Sequence, residues 1–143
     1  MDTRIDVMLQ GGQFKRLLEE QSMELRDKYG LKRAELEILY YLSHCGNQNT
    51  SSDIHRTLMM NRGHISQAVD QLCRKKYIVA IPDNDDRRYV HYETTEQAVE
   101  LIDELTRRRE EIHNRILKGI SASELETFRR VFEKISENMK EIK

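Results

Sequence analysis

Two groups of side chains in this sequence can recognise a ligand by hydrogen bonding and charge, and both suit a polyanion. The first is Asn61, Arg62, Gly63, His64, Ser66, Gln67 and Gln71. At helical spacing these fall away from the apolar set Ile65, Ala68, Val69 and Leu72. Gln67 offers the paired donor and acceptor that match adenine, and Arg62 the fork that matches guanine or a phosphate. Gly63 has no side chain, so the backbone can come close. The second group is Asp86-Arg87-Arg88. Two adjacent guanidiniums present positive charge and paired donors to an anion. Asp86 can orient an adjacent Arg through a charge-assisted hydrogen bond. The plainer readings are an ordinary polar helix face and a solvated turn whose ion pair carries little energy.

Other chemistry finds less support. His44, His55, His64, His91 and His113 are scattered, with no H-x-x-x-H or H-E-x-x-H spacing. Satisfied surface histidines are the simpler reading, and neither a metal nor another cofactor is expected. Cys45 and Cys73 form no disulfide framework and no C-x-x-C motif. Two small buried or half-buried side chains account for them; a redox sensor would need a cation beside the thiol, as Arg74 and Lys75 are beside Cys73. With no Gly-rich phosphate loop, nucleophile elbow or catalytic carboxylate cluster, an enzyme is not expected. Arg107-Arg108-Arg109-Glu110-Glu111 suits a solvated helix face with i,i+4 pairs, although Arg109 falls on the apolar seam and could face an anion.

The elements that would position the two groups follow from periodicity. Asp2 to Tyr29 carries a helical apolar pattern, interrupted by Gly11-Gly12 and stopped by Gly30. A second helix covers about Lys32 to His44, followed by a Gly46 to Asn49 loop. Thr50, with Asp53 three residues on, opens a short helix. After a tight turn at Met59-Met60, Asn61 caps the next one, which completes a helix-turn-helix unit. Tyr77 to Ile81, ending at Pro82, and Arg88 to Tyr92 are strands on either side of a polar turn at Asp83 to Asp86, a hairpin of the kind called a wing. Thr94 with Gln97, or Thr95 in its place, can cap a long helix to Gly119. Ser121-Ala122-Ser123-Glu124 is a capping box for the last one. Leu125, Phe128, Phe132, Ile135, Met139 and Ile142 then alternate at spacings of 3 and 4, a coiled-coil-like seam.

Composition is compatible with this plan. The chain has 143 residues, 34% of them charged, and a single Pro. That suits one mainly α domain with a small β-hairpin. Its longest apolar run, Ile38 to Leu42, cannot span a membrane, and the start lacks an apolar signal core, so a cytoplasmic protein is expected. The net charge of −1 is unusual for a polyanion binder. The stretch from Asn61 to His91, however, has six basic and four acidic residues, so the region that matters is modestly basic.

From about Leu31 to Leu105 the sequence resembles the MarR family of winged helix-turn-helix transcription regulators. The densest match is Asp86-Arg87-Arg88-Tyr89-Val90-His91-Tyr92-Glu93-Thr94-Thr95-Glu96, which is similar to the family's wing and the start of the helix after it. Thr50 to Ile54 and Ile65 to Leu72 align with its helix-turn-helix. Three positions depart from the family pattern: Lys76 and Ala98 stand where Gly is common, and Thr94 where Leu is. The resemblance implies a single domain over residues 1–143, with a DNA-binding part at 31–93 and a helical dimerisation part at 1–29 and 94–143. It implies a homodimer, built here from Ile5, Met8, Phe14, Leu17, Leu125, Phe128, Phe132, Ile135 and Met139. It implies double-stranded DNA with a palindromic operator as partner, repression, and relief by a small-molecule effector. The alternatives are a winged-helix interaction module that does not bind DNA, or a redox- or metal-responsive regulator.

Overall fold

The computed structural model describes residues 12–142. The elements run α1 (Gly12–Tyr29), α2 (Arg33–Leu42), α3 (Ser51–Leu58), α4 (Arg62–Arg74), β1 (Ile78–Pro82), β2 (Val90–Thr94), a 3-10 turn (Glu96–Ala98), α5 (Val99–Ile116) and α6 (Ala122–Lys140). Contacts divide the chain into two compact units. One is Glu19–Arg108; the other joins the chain up to Leu18 with Arg109 onward. Both boundaries fall inside helices.

The core of the first unit is the reason its helices form where they do. α1 stops at Gly30, whose φ of 66° is open to Gly without strain, and Leu31 N–H folds back onto Arg26 O. In α2, Leu36, Ile38, Leu39, Tyr41 and Leu42 are all buried, so the helix is enclosed on most sides. α3 opens on a complete capping box, with Thr50 and Asp53 exchanging side-chain and backbone hydrogen bonds at 3.2 and 3.1 Å. It buries Ile54. α4 contributes Ile65, Ala68, Val69 and Leu72, packs on both α2 and α3, and leads into β1. Removing each large side chain from water contributes about 1.5–3 kcal/mol, and this shared apolar centre fixes the angle between α3 and α4. Ala98, Leu101 and Leu105 extend it towards α5.

α4 ends in a Schellman motif. Tyr77 N–H donates to Leu72 O and Lys76 N–H to Cys73 O, both at 3.0 Å. The motif holds Lys76 at φ 64°, a left-handed conformation that a side chain occupies at a cost. Lys76 thus stands at the position where Gly would be cheapest. We expect Lys76→Gly to raise stability by about 0.5–1 kcal/mol after the added freedom of the unfolded chain is subtracted. Thermal melting should show this as a rise of roughly 2–4 °C; an unchanged or lower midpoint would show that Lys76 is not strained.

The hairpin is antiparallel with Ile78 opposite Thr94, Ala80 opposite Tyr92 and Pro82 opposite Val90. Both strands sit later than the sequence pattern suggests. Arg88 and Tyr89 belong to the loop because Tyr89 N–H turns back to Asp86 O, while Tyr89 O accepts from Asp83 N–H. The expected Thr94–Gln97 capping box does not form. Thr94 ends β2, Thr95 spends its hydroxyl on Lys76 O at 2.7 Å, and Gln97 reaches Lys75 O at 3.3 Å. These side chains close the wing's base onto the end of α4 and leave the helix start to a 3-10 turn.

In the second unit, α6 opens on the expected Ser121–Glu124 capping box and has no buried residue. Leu125 and Phe132 are half-buried, while Phe128, Val131, Ile135 and Met139 are exposed, Met139 to 57%. Leu17 in α1 is half-buried. Ile5, Met8 and the side chain of Phe14 lie outside the described residues.

Candidate nucleic-acid interface

The polar face of α4 stands open. Asn61, Arg62, Gly63, His64, Ser66 and Gln67 are exposed, and Gln71, one turn further on, is half-buried. Asn61 also serves the helix itself, since its Oδ1 accepts the Gly63 N–H at 2.7 Å and caps the first turn. Gly63 makes room for that cap: a Cβ there would meet the same oxygen at 3.1 Å. The first turn is therefore a unit, with Gly63 leaving space for the cap as well as for a ligand. An open hollow of about 400 Å³ runs between α4 and the hairpin, bounded by Ser51, Arg62, Ser66, Asp70, Cys73 and Tyr92.

The wing tip sorts its two arginines. Asp86 grips Arg88 in a fork, Oδ1 to Nε at 3.0 Å and Oδ2 to Nη2 at 2.7 Å, and also accepts the Arg88 N–H. Arg88 remains 85% exposed on its side chain. Arg87 is exposed, with no hydrogen-bond or ion-pair partner among the described residues. The Arg88 hydrogen bonds hold the Asp86 carboxyl below the usual carboxylate range and raise Arg88 in turn. Asp83 organises the loop beneath: Oδ2 accepts the N–H groups of Asp85 and Asp86 at 3.0 and 2.9 Å, and Oδ1 meets His91 Nε2 at 2.7 Å. The hydrogen bond from His91, ahead of these amides, lowers the Asp83 carboxyl. Both acids therefore stay ionised at neutral pH.

Ion pairs decide where positive charge is left over. Arg74 pairs with Asp70, Lys75 with Glu35 and Arg88 with Asp86. Arg62 and Arg87 have no ion-pair partner among the described residues, and they lie on the two candidate surfaces. A near-neutral chain can in this way present a cationic edge.

Residues 31–98 match the family model of a winged helix DNA-binding domain. Solved structures extend the likeness to the whole chain. The transcriptional regulator PA3341 is 22% identical, with 95% of this chain and 98% of that one covered and a TM-score of 0.77. Streptococcus pneumoniae FabT in complex with DNA is 21% identical, covering 99% of each chain, with a TM-score of 0.69. A MarR protein from Peptoclostridium difficile is 16% identical, covering 97% of this chain and 89% of that one, with a TM-score of 0.72. At these identities the likeness is one of fold alone, a winged helix carried between flanking helices. Neither the family nor these neighbours point to an enzyme. A search of curated proteins finds no match.

Within the winged helix domain, two contacts carry weight that sequence reasoning missed. Lys75 Nζ donates to Glu35 Oε1 at 2.6 Å and to Gly30 O at 2.8 Å, which ties the end of α4 to the α1–α2 joint. The Glu35 side chain is only 2% exposed. His55 Nδ1 lies 2.7 Å from Met60 O and staples the turn of the helix-turn-helix. His55 and His91 are thus built into the winged helix domain rather than being surface histidines. The thiols do not resemble redox sensors. Burial pushes both Cys45 and Cys73 up, and Asp70 pushes Cys73 further. The cations beside Cys73 in sequence are engaged elsewhere, by Asp70 and Glu35. Among the described residues no cluster of His, Cys, Asp and Glu could hold a metal, and no helix is long and apolar enough to cross a membrane.

Proposed function

We propose that this protein is a sequence-specific DNA-binding transcriptional regulator, acting as a homodimer on a palindromic operator, and that it is a repressor relieved by a small-molecule effector. The observation that carries the DNA reading is the pairing of an open polar face on α4 with a wing tip that presents one braced and one free arginine. The N-terminal half of α4 enters the major groove. Gln67 and Arg62 contact base edges or phosphates, and His64, Ser66 and Gln71 lie alongside. Arg87 and Arg88 reach the minor groove or its phosphates, with Asp86 orienting Arg88.

The open apolar face of α6 supports dimerisation through Leu125, Phe128, Phe132, Ile135 and Met139, with the Ile5, Met8, Phe14 and Leu17 end of the chain. A two-fold pair reads two half-sites about one DNA turn apart, roughly 34 Å. In this division of labour residues 31–93 bind DNA and the helical ends join the copies. An effector works by binding one spacing of the recognition helices more tightly than the other.

The net charge of −1 favours a second reading, an interaction module that does not bind DNA. The two are separated by incubating the protein with mixed genomic fragments and sequencing what it retains. We expect recovery of a palindromic fragment whose binding weakens steeply with salt. Retention of nothing, even at low salt and after removal of copurifying small molecules, would favour the interaction module.

A further inference from the structure

One chain of hydrogen bonds crosses the domain from the start of α3 to the wing tip, and a histidine sits in its middle. Asn49, 6% exposed in the loop before α3, accepts the Tyr92 N–H on its backbone oxygen at 3.0 Å. Its side-chain Oδ1 lies 2.6 Å from His91 Nδ1. His91 Nε2 lies 2.7 Å from Asp83 Oδ1. The other oxygen of Asp83 holds the amides of Asp85 and Asp86, and Asp86 holds Arg88. Each ring nitrogen of His91 thus faces an oxygen. A neutral imidazole has one N–H and can donate to only one of them, whereas the imidazolium donates to both.

We propose that His91 is a proton-dependent brace of the wing: as imidazolium it links Asn49 to Asp83 and holds the Arg88 loop in place, and on losing its proton it releases one end. His91 would then be a positioning residue for DNA binding, acting through Asp83 and Asp86 rather than by touching the duplex. This consequence rests on the proposed role of the wing; the brace itself does not.

The wing loop supplies the carboxylate of Asp83, with Asp86 behind it. The α2–α3 loop supplies only the neutral amide of Asn49. Across the hairpin, the partner of His91 is Ile81, which has no charge. The cation that could compete, Arg88, is taken by Asp86. Histidine is the side chain that changes charge within the physiological range.

The brace is tested on the full chain, in a His64→Gln background, because His64 on the recognition face would titrate over the same range. Ring nitrogen NMR from about pH 5.5 to 8.5 follows the protons of His91, and the backbone amides of Asp85, Asp86 and Tyr92 follow the wing. Anisotropy of a fluorescein-labelled mixed-sequence duplex of about 30 base pairs, three turns long, follows binding. We expect both ring nitrogens protonated at the acid end, wing amides that move with the ring's midpoint, and affinity roughly tenfold weaker at the alkaline end, the lower end of what one hydrogen bond to a charged group contributes. His91→Gln should flatten the pH dependence of both wing and affinity, and Asp83→Asn should move the midpoint to lower pH. A ring that is neutral throughout, with Asn49 turning its NH2 to Nδ1, overturns the brace. So do wing amides that ignore the ring's titration. If the ring and the amides titrate together but no duplex binds at any pH, in the wild-type chain as in the His64→Gln background, the brace stands and the DNA-binding reading fails. Tight binding that ignores the titration overturns the proposed control of DNA binding.

Discussion

Replacing Arg87 and Arg88 together by Ala should weaken duplex binding about 10²-fold and lower the dependence on salt by roughly two phosphate equivalents. Both side chains are exposed and neither supports the core, so the melting temperature should hardly change. The single variants separate their roles. Arg87→Ala removes the arginine that has no partner among the described residues and leaves the Asp86–Arg88 fork intact. Arg88→Ala removes a cation and also leaves Asp86 unpaired on the wing loop, where its charge would repel an approaching phosphate. Arg88→Ala should therefore be the more damaging, and Asp86→Ala in the same chain should recover part of the loss. Electrophoretic or anisotropy titrations at several salt concentrations give the answer. A double variant that binds like wild type, with an unchanged salt slope, would place the wing away from the DNA.

The largest effect on stability should come from Lys75→Met. Glu35 is almost wholly buried, and Lys75 is its one cationic partner among the described residues. Removing the cation strands a carboxylate where water cannot reach it, a change that typically costs about 3–5 kcal/mol. Against a total stability of about 5–15 kcal/mol this is a large share, and urea unfolding would register it clearly. Adding Glu35→Gln should return much of the loss, because a neutral amide needs no counter-charge. If Lys75→Met alone costs under about 1 kcal/mol, Glu35 is reaching water by moving. The effect should also extend beyond stability: Lys75 ties the end of α4 to Gly30 and α2, so loosening it frees the C-terminal end of the recognition helix.

Helices and their starts were legible because their signals are local. The Thr50–Asp53 and Ser121–Glu124 boxes each lie within one turn, and the 3.6-residue spacing of Ile65, Ala68, Val69 and Leu72 marks the buried side of α4. The wing was legible in kind but not in extent. Its strands begin later than β-propensity suggests because Asp83 and Asp86 spend their carboxylates on loop amides, which no alternation pattern records. Thr94 and Gln97 had the composition of a cap, but Thr94 pairs with Ile78 in the hairpin, while the Lys75 carbonyl takes Gln97 and the Lys76 carbonyl takes Thr95. The contacts that fix the site's geometry were not legible at all. Lys75 and Glu35 are 40 positions apart, and His91 and Asn49 are 42; their pairing depends on how α2 packs on α4, which the spacing within one element does not contain. Of the residues read as the polar face of α4, Asn61, Arg62, Gly63, His64, Ser66 and Gln67 are exposed and Gln71 is half-buried. Which of them touch a base is a property of the complex.

The cap at the start of α4 limits how the domain could be retargeted. A designer who wished to change the sequence it reads would randomise the exposed first turn, and Gly63 would be an obvious member of the library. A Cβ there would come within 3.1 Å of the oxygen that closes the helix, so the cap must shift by a few tenths of an ångström or weaken, at a cost of about 1 kcal/mol. Arg62, His64, Ser66 and Gln67 can vary without touching the cap, whereas a change at Asn61 or Gly63 is felt by the other.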